Sequence, residues 1–191
     1  MGQPMPRSMD VAGFLVWEEQ QELRHEFDGV RAIAMTGGTN AHSEIQAGIV
    51  GALRARLRGS HCRAHAGHMK VKTKNGIRYP DAFVACSPRA PSDTVLSEPV
   101  VIFEVLSEST MGEDLLVKAA EYQAIPSVQR YIVLQQTHSV AMVYHRQGKR
   151  WDFAFVSGKE AVLDMPEIGI SVPLAEIYED LTLASDLAAE Q

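Results

Sequence analysis

Pro99-Val100-Val101-Ile102-Phe103-Glu104-Val105-Leu106 is the stretch on which the fold turns. A run this apolar on both faces is a strand buried in the middle of a sheet, and Glu104 is its one charged residue. Desolvating a lone carboxylate there costs on the order of several kcal/mol. Three remedies exist: a raised pKa, a basic partner or a metal ion. Asp81 repeats the anomaly, because it follows Pro80 and opens the apolar segment Ala82-Phe83-Val84-Ala85-Cys86. Two carboxylates at the ends of neighbouring strands repel, and a shared divalent cation removes both the repulsion and the desolvation cost. Hard oxygen ligands of this kind suit Mg²⁺ or Mn²⁺ better than Zn²⁺. The alternative is structural: Glu104 pairs with Lys118 or an arginine, and Asp81 caps a turn.

Outward from this strand, hydrophobic spacing predicts a helix over Met9 to Phe27, a turn at Asp28-Gly29 and a strand over Val30 to Met35. A second amphipathic helix, His42 to Arg58, carries Ile45, Ile49, Ala52, Leu53 and Leu57 on one face and stops at Gly59. Short strands are expected around Cys62 to Ala64, Met69 to Thr73 and Tyr79 to Cys86, with a hairpin turn at Asn75-Gly76. Ser87 to Glu98 reads as a loop. A helix from Met111 to Ala124 places Asp114, Lys118 and Tyr122 on one face. Strands over Arg130 to Gln135, Val140 to His145 and Trp151 to Val156 follow, then a short helix from Pro173 to Tyr178. The order predicts one α/β or α+β domain over residues 1–178, a mixed sheet flanked by helices, with an acidic tail over 179–191.

The 191 residues, 46% hydrophobic and 22% charged, are those of an ordinary globular chain. No apolar run is long enough to span a bilayer, and the first residues lack the apolar core of a secretory signal. With Cys62 and Cys86 as the only cysteines, no disulfide scaffold is expected, and a cytoplasmic location follows by default. The net charge of −6 hides an asymmetry. No acidic residue occurs from Ile45 to Pro80, where Arg54, Arg58, Lys70, Lys72, Lys74 and Arg78 fall. This segment is a candidate phosphate footprint; the alternative is a solvated helix face followed by a strand with snorkelling lysines. His61, Cys62, His65 and His68 have zinc-type side chains, but their spacing matches no zinc motif.

Tyr79-Pro80-Asp81, then Glu104-Val105-Leu106-Ser107-x-Ser109-Thr110, then Asp114, Lys118 and Tyr122, together resemble the Uma family of restriction endonuclease domains. Arg24-His25-Glu26-Phe27-Asp28-Gly29 and the helix-opening His42 fit the same pattern, and the resemblance runs from Val11 to Tyr178. This family is a branch of the PD-(D/E)XK nuclease superfamily. The resemblance implies a restriction-endonuclease-like fold and Mg²⁺-dependent (or Mn²⁺-dependent) hydrolysis of phosphodiester bonds in DNA. Asp81 and Glu104 would then be the metal ligands, helped by the Val105 carbonyl. The superfamily's lysine, two residues after the glutamate, is replaced here by Leu106, and Lys118 takes its place; Glu26 and His42 extend the site. By analogy with dimeric nucleases of this fold, a homodimer using the strands between Val140 and Phe155 is expected. The rival class is a nuclease fold without activity that binds DNA or a protein partner.

Overall fold

The computed structural model describes residues 8–107 and 112–183. The chain begins with α1 (Val11–Glu18), the strands β1 (His25–Phe27) and β2 (Ala32–Ala34), and α2 (Asn40–Arg56). Next come β3 (Arg63–Ala66), β4 (Lys70–Lys72), β5 (Ile77–Arg78), β6 (Ala82–Ala85), β7 (Val95–Leu96) and β8 (Pro99–Val105). A π-helical stretch (Glu113–Lys118) runs into α3 (Ala119–Gln123). The rest is β9 (Arg130–Leu134), β10 (Val140–Gln147), β11 (Arg150–Ser157), β12 (Val162–Met165), β13 (Ile170–Pro173) and α4 (Leu174–Ile177).

The main sheet has six strands in the order β11-β10-β9-β8-β6-β3. β8 and β9 run parallel, and β8 pairs with β6 antiparallel. A second sheet, β2-β1-β5-β4-β7, lies beside it, and β12 and β13 form a separate ribbon. The fold is therefore α+β with mixed sheets flanked by helices, as the sequence predicts. Strand alternation sorts β8 between two cores. Val101, Phe103 and Val105 join Ile45, Ile49 and Leu53 of α2 and Leu174 and Ile177 of α4. Ile102 and Leu106 join Ala119, Tyr122 and Ile125 on the opposite side. Each such side chain contributes roughly 1.5–3 kcal/mol by leaving water. Glu104 has the parity of Ile102 and so faces the π-helical stretch and α3.

Two glycines permit close packing. A Cβ on Gly48 would lie 2.5 Å from the Ile177 carbonyl oxygen, so α4 can rest on α2 only there. A Cβ on Gly76 would run into the Phe27 carbonyl oxygen, where the β4–β5 turn meets β1.

Several expectations are corrected. The helix predicted over Met9 to Phe27 ends at Glu18, and His25–Phe27 is a strand paired with Ala32–Ala34. The apolar spacing continues past Glu18, but Asp28 accepts the amides of Val30 (2.8 Å) and Arg31 (2.6 Å) and closes a hairpin. The strand predicted over Tyr79 to Cys86 begins only at Ala82, because Tyr79-Pro80-Asp81 carries the chain from one sheet to the other. The helix predicted from Met111 starts as a π-helix, and β5, β7, β12 and β13 fall outside the predicted strands. Ser109 and Thr110 lie outside the described residues. Leu183, beyond the expected domain end at Tyr178, is buried in the main core. Cys62 and Cys86 are joined by a disulfide, with their Cα atoms 3.8 Å apart. Arg63 pairs with Ala85 in the β3–β6 ladder, and one further step places the two cysteines opposite each other. The cysteine count therefore says nothing about compartment.

Candidate functional site

Asp81 sits at the crossing between the two sheets, immediately before β6. Its Oδ2 accepts the Val105 amide at 2.7 Å, which fixes the carboxylate against the main chain next to Glu104. The remaining contacts come from α2. Thr39 caps that helix by accepting the His42 amide at 3.1 Å, as N-cap threonines do. His42 and Gln46, one turn apart, then reach the same place. His42 Nε2 lies 3.3 Å from Asp81 Oδ2. Gln46 Nε2 donates to the Asp81 carbonyl at 2.8 Å and, more weakly, to Oδ1 at 3.4 Å. The Asp81 side chain remains 15% exposed.

Glu104 is buried at 4% exposure. Its Oε1 accepts Lys118 Nζ at 3.2 Å and the Tyr122 hydroxyl at 2.9 Å. Lys118 closes the π-helical stretch and Tyr122 lies one α-turn further on. π-turns are frequent at functional sites because they re-aim a side chain within a helix. Lys118 also lies 3.4 Å from Glu26 Oε1. Glu26, on β1 rather than at a helix end, accepts the Tyr79 amide at 3.0 Å and Arg78 Nη1 at 3.0 Å. Arg78 forms a second, bidentate pair with Glu121 at 2.7 and 3.0 Å. Beside this chain Glu18 accepts the Tyr79 hydroxyl at 2.9 Å and lies 3.0 Å from Lys70 Nζ. Of the three remedies for a carboxylate in β8, the structure supplies a basic partner.

Charge in this network shifts its neighbours. Burial, then the negative charges of Glu104 and Glu26, hold the Tyr122 hydroxyl proton well beyond its ordinary range. Burial and the bond to Glu18 do the same at Tyr79. Burial works against the Arg78 cation, but Glu121 and Glu26 outweigh it and raise its pKa. Lys118 lies within ion-pair distance of Glu26 and Glu104, Arg78 of Glu26 and Glu121, and His42 of Asp81.

The basic segment divides in two. Arg54, Arg58, Lys72 and Lys74 are exposed. Arg78, 0% exposed, and Lys70, 8% exposed, are inside the protein and ion-paired. These two are removed from the expected phosphate footprint, because a duplex cannot reach them. The zinc-type group divides as well. His65 stacks on Phe83, 4.9 Å between centroids, and burial, then the charges of Arg89 and Arg54, lower its pKa. Cys62 lies instead with His61 and Cys86. Among the described residues, no helix is long and apolar enough to cross a membrane.

A family model, Uma2, described as "Putative restriction endonuclease", matches residues 11–175. The chain belongs to the Uma2 family. An uncharacterized Synechocystis protein, slr1290, is 29% identical over 182 residues, covering 93% of this chain and 95% of its own. A second one, sll1609, is 24% identical over 162 residues, covering 82% and 92%. The fold is similar to that of a crystal structure from Anabaena variabilis, described as "a putative nuclease belonging to DUF820". That match has a TM-score of 0.70 at 16% identity and covers 90% of this chain and 98% of the other.

The Uma2 chain brings Asp81, Glu104, Val105, Lys118, Glu26 and His42 into one connected cluster. Three participants escaped the sequence analysis. Gln46 is a neutral amide whose sole signal was its place one turn after His42. Glu121 and Glu18 carry ordinary surface-type side chains whose partners, Arg78 and Tyr79, are 43 and 61 residues away in sequence.

Proposed function

We propose that this Uma2 protein is a metal-dependent endonuclease that hydrolyses phosphodiester bonds in DNA, with Mg²⁺ or Mn²⁺ held by Asp81, Glu104 and the Val105 carbonyl. The observation that carries this reading is the bond of 2.7 Å from the Val105 amide to Asp81 Oδ2, which clasps the partly exposed carboxylate to the strand bearing Glu104. The donor set is hard oxygen, as these ions require. A divalent cation shared by Asp81 and Glu104 would offset the repulsion between the two carboxylates. The family description and the nuclease of similar fold support the reading from outside.

A bound ion would supply Lewis-acid polarisation of a phosphate oxygen and a water of lowered pKa. The residues of the chain do the rest. His42, within reach of Asp81 Oδ2 and partly exposed, accepts or donates a proton at Nε2. Lys118 holds Glu104 in place and adds positive charge where the phosphate becomes more negative. Glu26 positions Lys118 from its other side. Arg54, Arg58, Lys72 and Lys74 contact phosphates without reading sequence.

Purified protein incubated with supercoiled plasmid should nick or linearise it with Mg²⁺ or Mn²⁺ and not with EDTA. Glu104→Gln should lose the activity. Cleavage at the parental rate by Glu104→Gln would contradict the proposal. One observation favours a second reading, an inactive nuclease-fold module: Glu104 Oε1 already carries Lys118 and Tyr122, and Leu106 stands where the superfamily has lysine. That reading requires salt-sensitive DNA binding with no cleavage under either metal.

A further inference from the structure

The cluster of His61, Cys62 and Cys86 has no part in the nuclease reading. His61 follows the end of α2, Cys62 precedes β3, and Cys86 follows β6. One ligand atom from each lies within 4.8 Å of the others, and among the described residues this is where three such groups gather. His61 Nε2 is 3.6 Å from Cys62 Sγ. His61 is exposed, Cys86 half-buried and Cys62 buried, so a small solute can reach the cluster from one side.

We propose that these three residues form a binding site for a thiophilic divalent cation of the Zn²⁺ type once the Cys62–Cys86 disulfide is reduced. An external dithiol breaks the sulfur–sulfur bond by supplying two electrons and is itself oxidised to a disulfide, leaving two thiols here. Each thiol loses its proton on ligating the metal, so binding releases two protons. Two thiolates and one neutral imidazole match zinc in softness and leave a fourth tetrahedral position for water. The cation would join the end of α2 and the start of β3 to the end of β6. That is the same junction the disulfide closes under oxidising conditions. Asp81, at the other end of β6, is a separate site with hard ligands, and the inference does not depend on its function.

The test uses the full chain, anaerobic and reduced with a phosphine, titrated with Zn²⁺ against a chromophoric chelator and, separately, with Co²⁺. One zinc per chain should bind tightly enough to compete with the chelator, and Co²⁺ should show thiolate-to-metal charge-transfer absorption. Asp81→Ala should leave both results unchanged. Cys86→Ser and His61→Ala should each weaken binding by at least the roughly 10- to 100-fold that loss of even an outer-shell partner costs. The oxidised chain should show no charge-transfer band. Binding by the reduced chain no tighter than by Cys86→Ser, or a cobalt spectrum without thiolate bands, would overturn the proposal. Where reduction alone abolishes the circular-dichroism signal, its recovery on adding zinc supports the site and failure to recover overturns it.

Discussion

Asp81 accepts the amide of Val105, the residue after Glu104, yet the surroundings of the two acids differ in kind. Glu104 lies inside, its carboxylate engaged by a lysine and a tyrosine that are themselves buried. Asp81 lies at the rim, partly exposed, with neutral donors Gln46 and Val105 and a histidine as its partners. An acid like Glu104 is part of what keeps the fold together. An acid like Asp81 can be changed at small cost to folding, so its placement is best explained by what it binds.

The largest effect should come from the interior side. Arg78→Met would leave Glu26 and Glu121 facing a hydrophobe, and breaking a buried pair by removing one partner costs about 3–5 kcal/mol. That is a large share of the roughly 5–15 kcal/mol that holds a domain together. Lys118→Met should fall in the same range, since it strips Glu26 and Glu104 together. Urea unfolding followed by circular dichroism measures both. A loss smaller than about 1 kcal/mol, the value typical of exposed pairs, would dissolve the contrast.

Tyr122→Phe removes one hydrogen bond to a buried carboxylate and should cost about 1.5–3 kcal/mol. Its effect sharpens the comparison, because the phenylalanine keeps the packing against Tyr131 and changes only the polar contact. On the rim side, Gln46→Leu frees the Asp81 carbonyl and should cost about 1 kcal/mol in the same unfolding assay. The smallest effect is a pH dependence. Burial and two arginines lower the His65 pKa below its ordinary value of 6.5, so the unfolded chain takes up a proton first as pH falls. Stability should be full above pH 6.5 and decline as pH drops through and below it, and His65→Gln should flatten that decline. Urea midpoints at a series of pH values check this, and an unchanged slope in the variant would sever the link to His65.

The same contrast governs what the sequence made legible. β8, α2 and the acids Asp81 and Glu104 stood out because a charge in an apolar run is a local anomaly. Lys118 and Tyr122 were placed by helical spacing, which a π-turn ending at Lys118 does not disturb. In the sequence Arg78 and Lys70 look like surface charges, because nothing local distinguishes a paired, buried cation from a solvated one. Their partners Glu26, Glu121 and Glu18 are far off in the chain, on β1, α3 and α1, and only the tertiary fold brings them near. Glu26 itself was hidden by apolar spacing that runs on past α1, so a strand looked like the end of a helix. The Cys62–Cys86 link needed the β3–β6 register, which no local pattern encodes.

The role proposed for Asp81 is binding rather than folding. Its most direct test is Asp81→Asn, assayed for Mg²⁺- or Mn²⁺-dependent plasmid cleavage and for urea stability on the same preparation. The predicted result is a loss of cleavage of at least about 100-fold, as for removal of a metal ligand, with stability within about 1 kcal/mol of the parent. A variant that cuts as fast as the parent, or one that unfolds as readily as Arg78→Met, would contradict it.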